Sequence, residues 1–108
     1  MSDFRYIETN GVTLRVAVAG PLDGPLVILV HGFPESWYSW RRQIMALSMA
    51  GYRVAAPDVR GYGGSDKPQA VAAYDMDNLT WDMDGLAAAL SPDKPAVIIG
   101  HDWGAPIA

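Results

Sequence analysis

The sequence contains no cysteine, which excludes disulfides, thiol catalysis and thiolate metal sites. It also has few basic residues: 8 Lys and Arg face 12 Asp and Glu, for a net charge of −4. Nothing forms the basic stripe that nucleic acid or an anionic membrane would require. The longest apolar run, residues 25–30, is far shorter than the roughly 20 residues that span a bilayer. We therefore expect no nucleic-acid partner and no membrane partner.

Apolar residues make up 50% of the chain and charged residues 19%, a composition typical of globular proteins. The 108 residues are enough for one domain of ordinary size, which we assign to residues 1–108. The first residues contain no apolar segment of the kind that signal peptides carry, so we expect a cytoplasmic protein.

The patterning predicts an α/β fold. Residues 4–9 and 12–19 alternate as strands around Asn10-Gly11, the strongest short hairpin signal. Residues 26–30 are apolar on both faces, as in a parallel strand covered on both sides, and residues 52–56 and 95–100 are predicted as further strands. We thus expect a mostly parallel sheet with a leading antiparallel hairpin.

Helical spacing indicates two helices between these strands and the start of a third. Ser39 is the expected N-cap of a helix over residues 40–50, with Trp40, Ile44 and Leu47 on one stripe, and Gly51 is expected to end it. A second helix is predicted over residues 79–90, and residues 104–108 resemble a first helical turn. The chain thus ends just after its third apolar strand, which would be a bare sheet edge prone to aggregation.

The segment Gly100-His101-Asp102-Trp103-Gly104 lies where a predicted strand meets a predicted helix. Small residues two before and two after the centre suit a tight strand-to-helix turn that projects the central side chain at the carboxyl end of the sheet. Asp102 stands at that centre. A carboxylate is already ionised at neutral pH and can attack a carbon that bears a leaving group. We interpret Asp102 as a nucleophile; the alternative is a turn residue that caps the helix.

The loop after the first apolar strand reads His31-Gly32-Phe33-Pro34. In a sheet with such a strand-to-helix turn, this loop supplies one backbone N–H of an oxyanion hole, and the residue after the nucleophile supplies the other. Pro34 has no N–H, so the expected donors are Phe33 and Trp103. His31 and His101, the only histidines, are interpreted as structural residues that hydrogen-bond to loop backbone.

No metal or cofactor is expected. His31, His101 and Asp102 lack metal-ligand spacing, and the loop at residues 61–64 lacks the glycine spacing of a phosphate-binding site. An acidic cluster fails the calcium-loop pattern, and we interpret it as a solvated helix start. Its members are Asp75, Asp77, Asp82 and Asp84.

Three segments together resemble the N-terminal signatures of α/β-hydrolase-fold epoxide hydrolases: residues 31–37 (HGFPESW), 58–68 (DVRGYGGSDKP) and 100–105 (GHDWGA). The resemblance implies that Asp102 is the nucleophile and that the amides of Phe33 and Trp103 form the oxyanion hole. It implies structural roles for Asp58 and Arg60. The implied substrate pocket is walled by Phe33, Pro34, Trp37 and Trp103, and the implied structural motif residues are His31, Gly32, Gly100, His101 and Gly104.

Members of this family are two to three times longer than 108 residues. The resemblance therefore implies that the cap domain and the C-terminal half of the fold are absent here. They would supply two tyrosines that protonate the epoxide oxygen, the histidine that activates water, and its acidic partner. The expected partners are a small-molecule epoxide, water and this missing half.

The expected function in the complete enzyme is hydrolysis of an epoxide to a vicinal diol through an aspartyl ester. One alternative is a haloalkane or haloacid dehalogenase of the same fold. Many haloalkane enzymes carry a polar residue at the position of Phe33, so this residue favours the epoxide. The other alternative is an inactive truncated or split-chain fragment, for which we expect poor solubility and no turnover.

Overall fold

The computed structural model describes residues 3–32, 36–69, 74, 76–101 and 104–107, with only the backbone for residues 105 and 106. Within these ranges the chain forms five strands, three α-helices and a 3₁₀ turn. The strands are β1 (Asp3–Thr9), β2 (Val12–Ala19), β3 (Leu26–Val30), β4 (Arg53–Pro57) and β5 (Val97–Gly100). The helices are α1 (Arg41–Met49), α2 (Met76–Leu90) and α3 (Gly104–Ile107), and the 3₁₀ turn covers Trp37–Trp40.

The strands form one mixed sheet in the order β1-β2-β4-β3-β5. β1 and β2 pair antiparallel, and β2 continues antiparallel to β4. β3 lies between β4 and β5 and is parallel to both. The predicted α/β fold with a leading hairpin and a parallel centre is therefore confirmed.

The hairpin turn has the backbone conformation that its sequence predicts. Asn10 and Gly11 have φ values of 48° and 79°, so both central residues are left-handed. This is the type I′ geometry, whose twist matches that of the flanking strands. Thr9 then pairs with Val12, and the apolar residues Leu14 and Val16 fall on the buried side of the sheet.

The core has two layers, one on each face of the sheet. On one face, α2 packs Met83, Leu86 and Leu90 against β1, β2 and β3. On the other, α1 packs Ile44 against a cluster that includes Val27 of β3. β3 is buried along its whole length because both layers cover it, as its doubly apolar sequence predicts. In the described part of the chain, no helix is long and apolar enough to cross a membrane.

The prediction that Ser39 caps the first helix was wrong. The chain is already helical at that position, because the 3₁₀ turn begins at Trp37 and Ser36 caps it: the Ser36 hydroxyl oxygen accepts a bond of 3.3 Å from the Tyr38 N–H. α1 follows without a side-chain cap at Trp40. The predicted end at Gly51 agrees with the structure, since this glycine has a φ of 95°.

The solvated interpretation of the acidic cluster was wrong for Asp82, whose side chain is fully buried. Its carboxylate accepts two bonds from the Arg60 guanidinium, at 2.8 and 2.7 Å, and a third from the Asn10 amide at 3.2 Å. α2 begins at Met76 and packs its apolar face on β1, beside the hairpin turn. Asp82 faces inward because it lies on this packed face of the helix. Asp77 and Asp84 are exposed, and Asp75 lies outside the described residues.

We expect Asp82→Asn to lower the free energy of unfolding by about 3–5 kcal/mol, because it leaves the Arg60 cation buried without its counter-charge. Asp84→Asn, on the exposed face of the same helix, is the matched control and should change stability little. Urea denaturation of the two purified variants measures the difference. Equal midpoints would show that the Arg60 pair does not stabilise the fold.

Candidate active site

The carboxyl ends of three neighbouring strands meet at one edge of the sheet. Asp58 directly follows β4, His31 directly follows β3, and His101 directly follows β5. The register pairs Val30 with Gly100, so the loops after β3 and β5 leave the sheet at the same level. This edge is where open α/β sheets bind ligands.

The chain turns tightly between β5 and α3. The His101 N–H donates to the Val30 carbonyl oxygen at 3.2 Å, and the Gly104 N–H donates to the His101 carbonyl oxygen at 2.9 Å. A Cβ added at Gly104 would overlap the Val30 carbonyl oxygen and would lie 2.6 Å from that of His31. The start of α3 is thus pressed against the end of β3 at a position where only glycine fits.

His31 is buried, and both of its ring nitrogens are engaged. Nε2 accepts a bond of 2.9 Å from the Val59 N–H, and Nδ1 lies 2.7 Å from the Gly32 carbonyl oxygen. Because Nε2 must present its lone pair to an N–H, the proton belongs on Nδ1, which donates to Gly32. The ring of Tyr62 meets the imidazole edge-on at a centroid distance of 5.2 Å. His31 is therefore a neutral ring that joins the loops after β3 and β4.

The loop after β4 is held by the buried carboxylate of Asp58. One oxygen accepts the Trp37 N–H at 2.9 Å; the other accepts the Gly64 N–H and the Arg15 Nε–H, both at 2.9 Å. A Cβ added at Gly63, whose φ is 52°, would overlap this carboxylate. These contacts agree with the structural role expected of Asp58, and the Asp82 ion pair gives Arg60 a matching role.

Two cavities flank His31. The larger, about 240 Å³, lies on the α2 side and is lined by His31, Tyr62, Tyr74 and Leu79 among others. Partial burial raises the pKa of the Tyr62 hydroxyl above its ordinary value. The smaller, about 210 Å³, lies on the α1 side between Trp40 and the exposed His101.

Trp37 lies away from both cavities as far as the described residues define them. Its ring packs edge-on against Phe4 at 5.1 Å and against Tyr38 at 5.5 Å, over the core layer on the α1 side. Trp37 is half-buried there, and with Phe4 it lines a third cavity of about 250 Å³. Neither His31 nor His101 lines that cavity, and the assignment of Trp37 to a substrate pocket stays a prediction.

Four residues of the predicted site fall outside the described part of the chain, and their roles stay predictions. They are Phe33, Pro34, Asp102 and Trp103. The described residues on either side of them are brought together: His31 and Gly32 follow β3, and His101 and Gly104 lie beside the end of that strand. No group of three His, Asp or Glu that could hold a metal occurs among the described residues.

The sequence analysis did not predict that Asp82 is buried in an ion pair or that two tyrosines line the larger cavity. Position 82 shares the inward face with Leu79, Met83 and Leu86, and an acidic residue on an apolar stripe is a signal of a buried ion pair. Tyr62 and Tyr74 line the larger cavity. No periodicity in the sequence could have brought these two tyrosines together.

The chain belongs to the alpha/beta hydrolase fold family, whose model matches residues 25–108. Within that family, it is 57% identical to epoxide hydrolase A of Mycobacterium tuberculosis over 94% of the chain and 31% of that protein. It is 53% identical to the AB hydrolase superfamily protein YfhM of Bacillus subtilis, over 96% of the chain and 36% of that protein. The resemblance to epoxide hydrolases is confirmed.

Solved structures give the same result. The crystal structure of epoxide hydrolase A from Mycobacterium thermoresistibile superposes with a TM-score of 0.94 at 54% identity, over 99% of this chain and 33% of that one. An epoxide hydrolase from Vigna radiata superposes with a TM-score of 0.93 at 43% identity, over 98% of this chain and 32% of that one. The chain spans about a third of the length of these relatives.

We expect Gly104→Ala to lower the free energy of unfolding by about 3 kcal/mol, the upper end of the cost of overpacking. The added methyl meets the carbonyl oxygens of Val30, at the end of the buried strand β3, and of His31 directly after it. Gly51→Asn is the control, because nothing lies within 4 Å of a Cβ there and Asn tolerates a left-handed backbone. Chemical denaturation compares the two. A loss no larger at Gly104 than at Gly51 would contradict close packing at the turn.

Proposed function

We propose that this chain carries the nucleophilic half of an epoxide hydrolase, in which Asp102 opens the substrate through a covalent aspartyl ester. One observation carries the proposal: the turn from β5 to α3 is fixed directly beside the end of β3 by the His101–Val30 bond and by the packing of Gly104. The middle of that turn is an aspartate rather than a serine. The similarity to epoxide hydrolases from several organisms supports the same chemistry.

The first step forms an ester. A carboxylate oxygen of Asp102 attacks one epoxide carbon, and the bond between that carbon and the ring oxygen breaks. The ring oxygen takes a proton from a donor and becomes the hydroxyl beside the new ester. Asp102 needs no general base for this attack, because a carboxylate is already ionised at neutral pH.

The second step breaks the ester. Water loses a proton to a base and attacks the ester carbonyl carbon, so that negative charge collects on the carbonyl oxygen. The proposed donors to this oxyanion are the backbone N–H groups of Phe33 and Trp103. Collapse of the tetrahedral intermediate breaks the acyl C–O bond, releases the vicinal diol after protonation, and restores the Asp102 carboxylate.

The remaining groups are proposed to come from outside residues 1–108. By resemblance to the family, two tyrosines of a cap domain protonate the epoxide oxygen, and a histidine with an acidic partner activates water. Among the described residues, His31 is unsuited to be that base, because both of its nitrogens are bonded to backbone groups. The activity therefore belongs to the complete enzyme, of which this chain supplies the nucleophile and the oxyanion donors.

Substitution of Asp102 tests the mechanism. We expect Asp102→Ala to abolish turnover of styrene oxide and Asp102→Asn to lower kcat by more than about 10⁴-fold, because no nucleophile remains. Rapid acid quench of the unmodified enzyme with substrate should add the substrate mass to the peptide that contains Asp102. Label on any other peptide would refute the assignment.

Product analysis separates epoxide hydrolysis from dehalogenation, which uses an aspartate in the same position. We expect diol from styrene oxide and no halide from a haloalkane or haloacetate. The Asp102→Ala variant is the control, since it removes the nucleophile common to both reactions. Release of halide without diol formation would assign the enzyme to the dehalogenases.

A further inference from the structure

The third cavity, of about 250 Å³, is lined by residues of β1 and α1 and by Trp37, and we call it the Phe4 cavity. Phe4 and Trp37 form its aromatic wall, with their rings edge-on at a centroid distance of 5.1 Å. Its aliphatic wall comes from α1, where Ile44 is buried and Met45 is 60% exposed. Large apolar side chains that stay open to solvent around a cavity are typical of a surface that binds an apolar group.

Of the described residues that line the Phe4 cavity, Arg41 is the one that carries a charge. Its guanidinium lies 4.4 Å from the centre of the Tyr38 ring, and its Nη1 donates to the Tyr38 carbonyl oxygen at 3.1 Å. Neither contact supplies a negative charge, and within the described part of the chain Arg41 forms no ion pair. The guanidinium of Arg15 lies over the Phe4 ring, but it is already paired with Asp58.

The charged residues of β1 on either side of Phe4 do not alter this balance. Phe4 pairs with Ala17, which belongs to the core layer on the α1 side, so Phe4 points to that face of the sheet. Because side chains alternate along a strand, Asp3 and Arg5 lie on the opposite face, where both line a different cavity. An anion in the Phe4 cavity would therefore meet Arg41 without a competing carboxylate, although the whole chain has a net charge of −4.

We propose that the Phe4 cavity binds an amphiphile with one anionic head, such as a medium-chain carboxylate. The head pairs with Arg41, whose planar group of N–H donors matches the two oxygens of a carboxylate. The tail lies against Phe4, Trp37 and Met45, and the flexible thioether of Met45 adapts to its shape. Because the cavity is separate from the two that flank His31, the inference does not depend on the proposed function.

The experiment is a titration of the full-length enzyme, labelled with ¹³C at its methionine methyl groups, with decanoate below the concentration at which micelles form. We expect a saturable shift of the Met45 methyl resonance. Met49, one helical turn further along α1 and 82% exposed, is the internal control, because it does not line the cavity. A shift that fails to saturate, or an equal shift at Met49, would mean adsorption to the surface and would overturn the proposal.

Two other amphiphiles test the class of ligand. Decanol lacks the charged head and should bind at least about 10-fold more weakly than decanoate, which is the cost of a lost hydrogen bond to a charged group. Octanoate keeps the head but has a shorter tail, so we expect its affinity to be about 10-fold lower than that of decanoate. Equal affinities for decanoate and decanol would refute an anionic ligand.

Two substitutions test the residue that selects the head. Arg41→Gln removes the charge and should weaken decanoate binding at least about 10-fold. Arg42→Gln is the matched control, because Arg42 is the exposed neighbour on the same helix and does not line the cavity. Both variants should keep the denaturation midpoint of the unmodified enzyme, since both side chains are exposed. Equal weakening by the two substitutions would show a general charge effect and would overturn the assignment to Arg41.

Discussion

The carboxylate of Asp58 is inaccessible to solvent and accepts hydrogen bonds from three separate segments of the chain. The Trp37 N–H belongs to the stretch that follows β3, the Gly64 N–H to the loop after β4, and the Arg15 side chain to β2. A buried anion is tolerated only when such partners replace its hydration. The edge of the sheet that carries the candidate site is therefore held together by hydrogen bonds to a buried charge.

A second buried carboxylate completes this organisation from the side of α2. Asp82 pairs with Arg60, two residues after Asp58, and also receives the Asn10 amide from the hairpin turn. The loop after β4 is thus fixed at both of its faces by ion pairs that share no atoms. His31 connects this braced loop to the end of β3 through Val59. The hydrogen bonds of the two carboxylates offset the cost of burying them. They also fix a loop that apolar contacts alone would hold less firmly.

Sequence patterns were sufficient for the sheet and its helices, because their periodicity is set by local geometry. Asn10-Gly11 and the doubly apolar run of β3 each determine their own conformation with little help from the rest of the chain. The close approach at Gly104 was also predictable, since a strand-to-helix turn needs a small residue there. The N-cap was mispredicted because Ser36 and Ser39 are both good caps, and only the packing of the 3₁₀ turn selects between them.

Contacts between distant segments were not available from the sequence. The pair formed by Arg60 and Asp82 joins a loop to a helix, and its existence depends on how α2 is rotated on the sheet. The position of Trp37 depends on its ring contact with Phe4, a residue of β1 that lies much earlier in the sequence. In each case the residue type indicates that the side chain needs a contact partner. Only the tertiary packing determines which residue that partner is.

The proposed chemistry gives a reason for the buried hydrogen bonds at the carboxyl end of β3. An aspartate nucleophile is already charged before the reaction begins, and its attack disperses that charge. For this step the nucleophile needs to be held in position, but it needs no stabilisation of a new charge. Hydrolysis of the ester concentrates charge on a single oxygen, and donors that are held in advance stabilise it without reorganisation. The bonds from β2 through Asp58, Val59 and His31 end at the Gly32 carbonyl oxygen, in the loop that follows β3. A firmly held loop after β3 is what the second step of the proposed mechanism requires, because that loop carries one of the proposed donors.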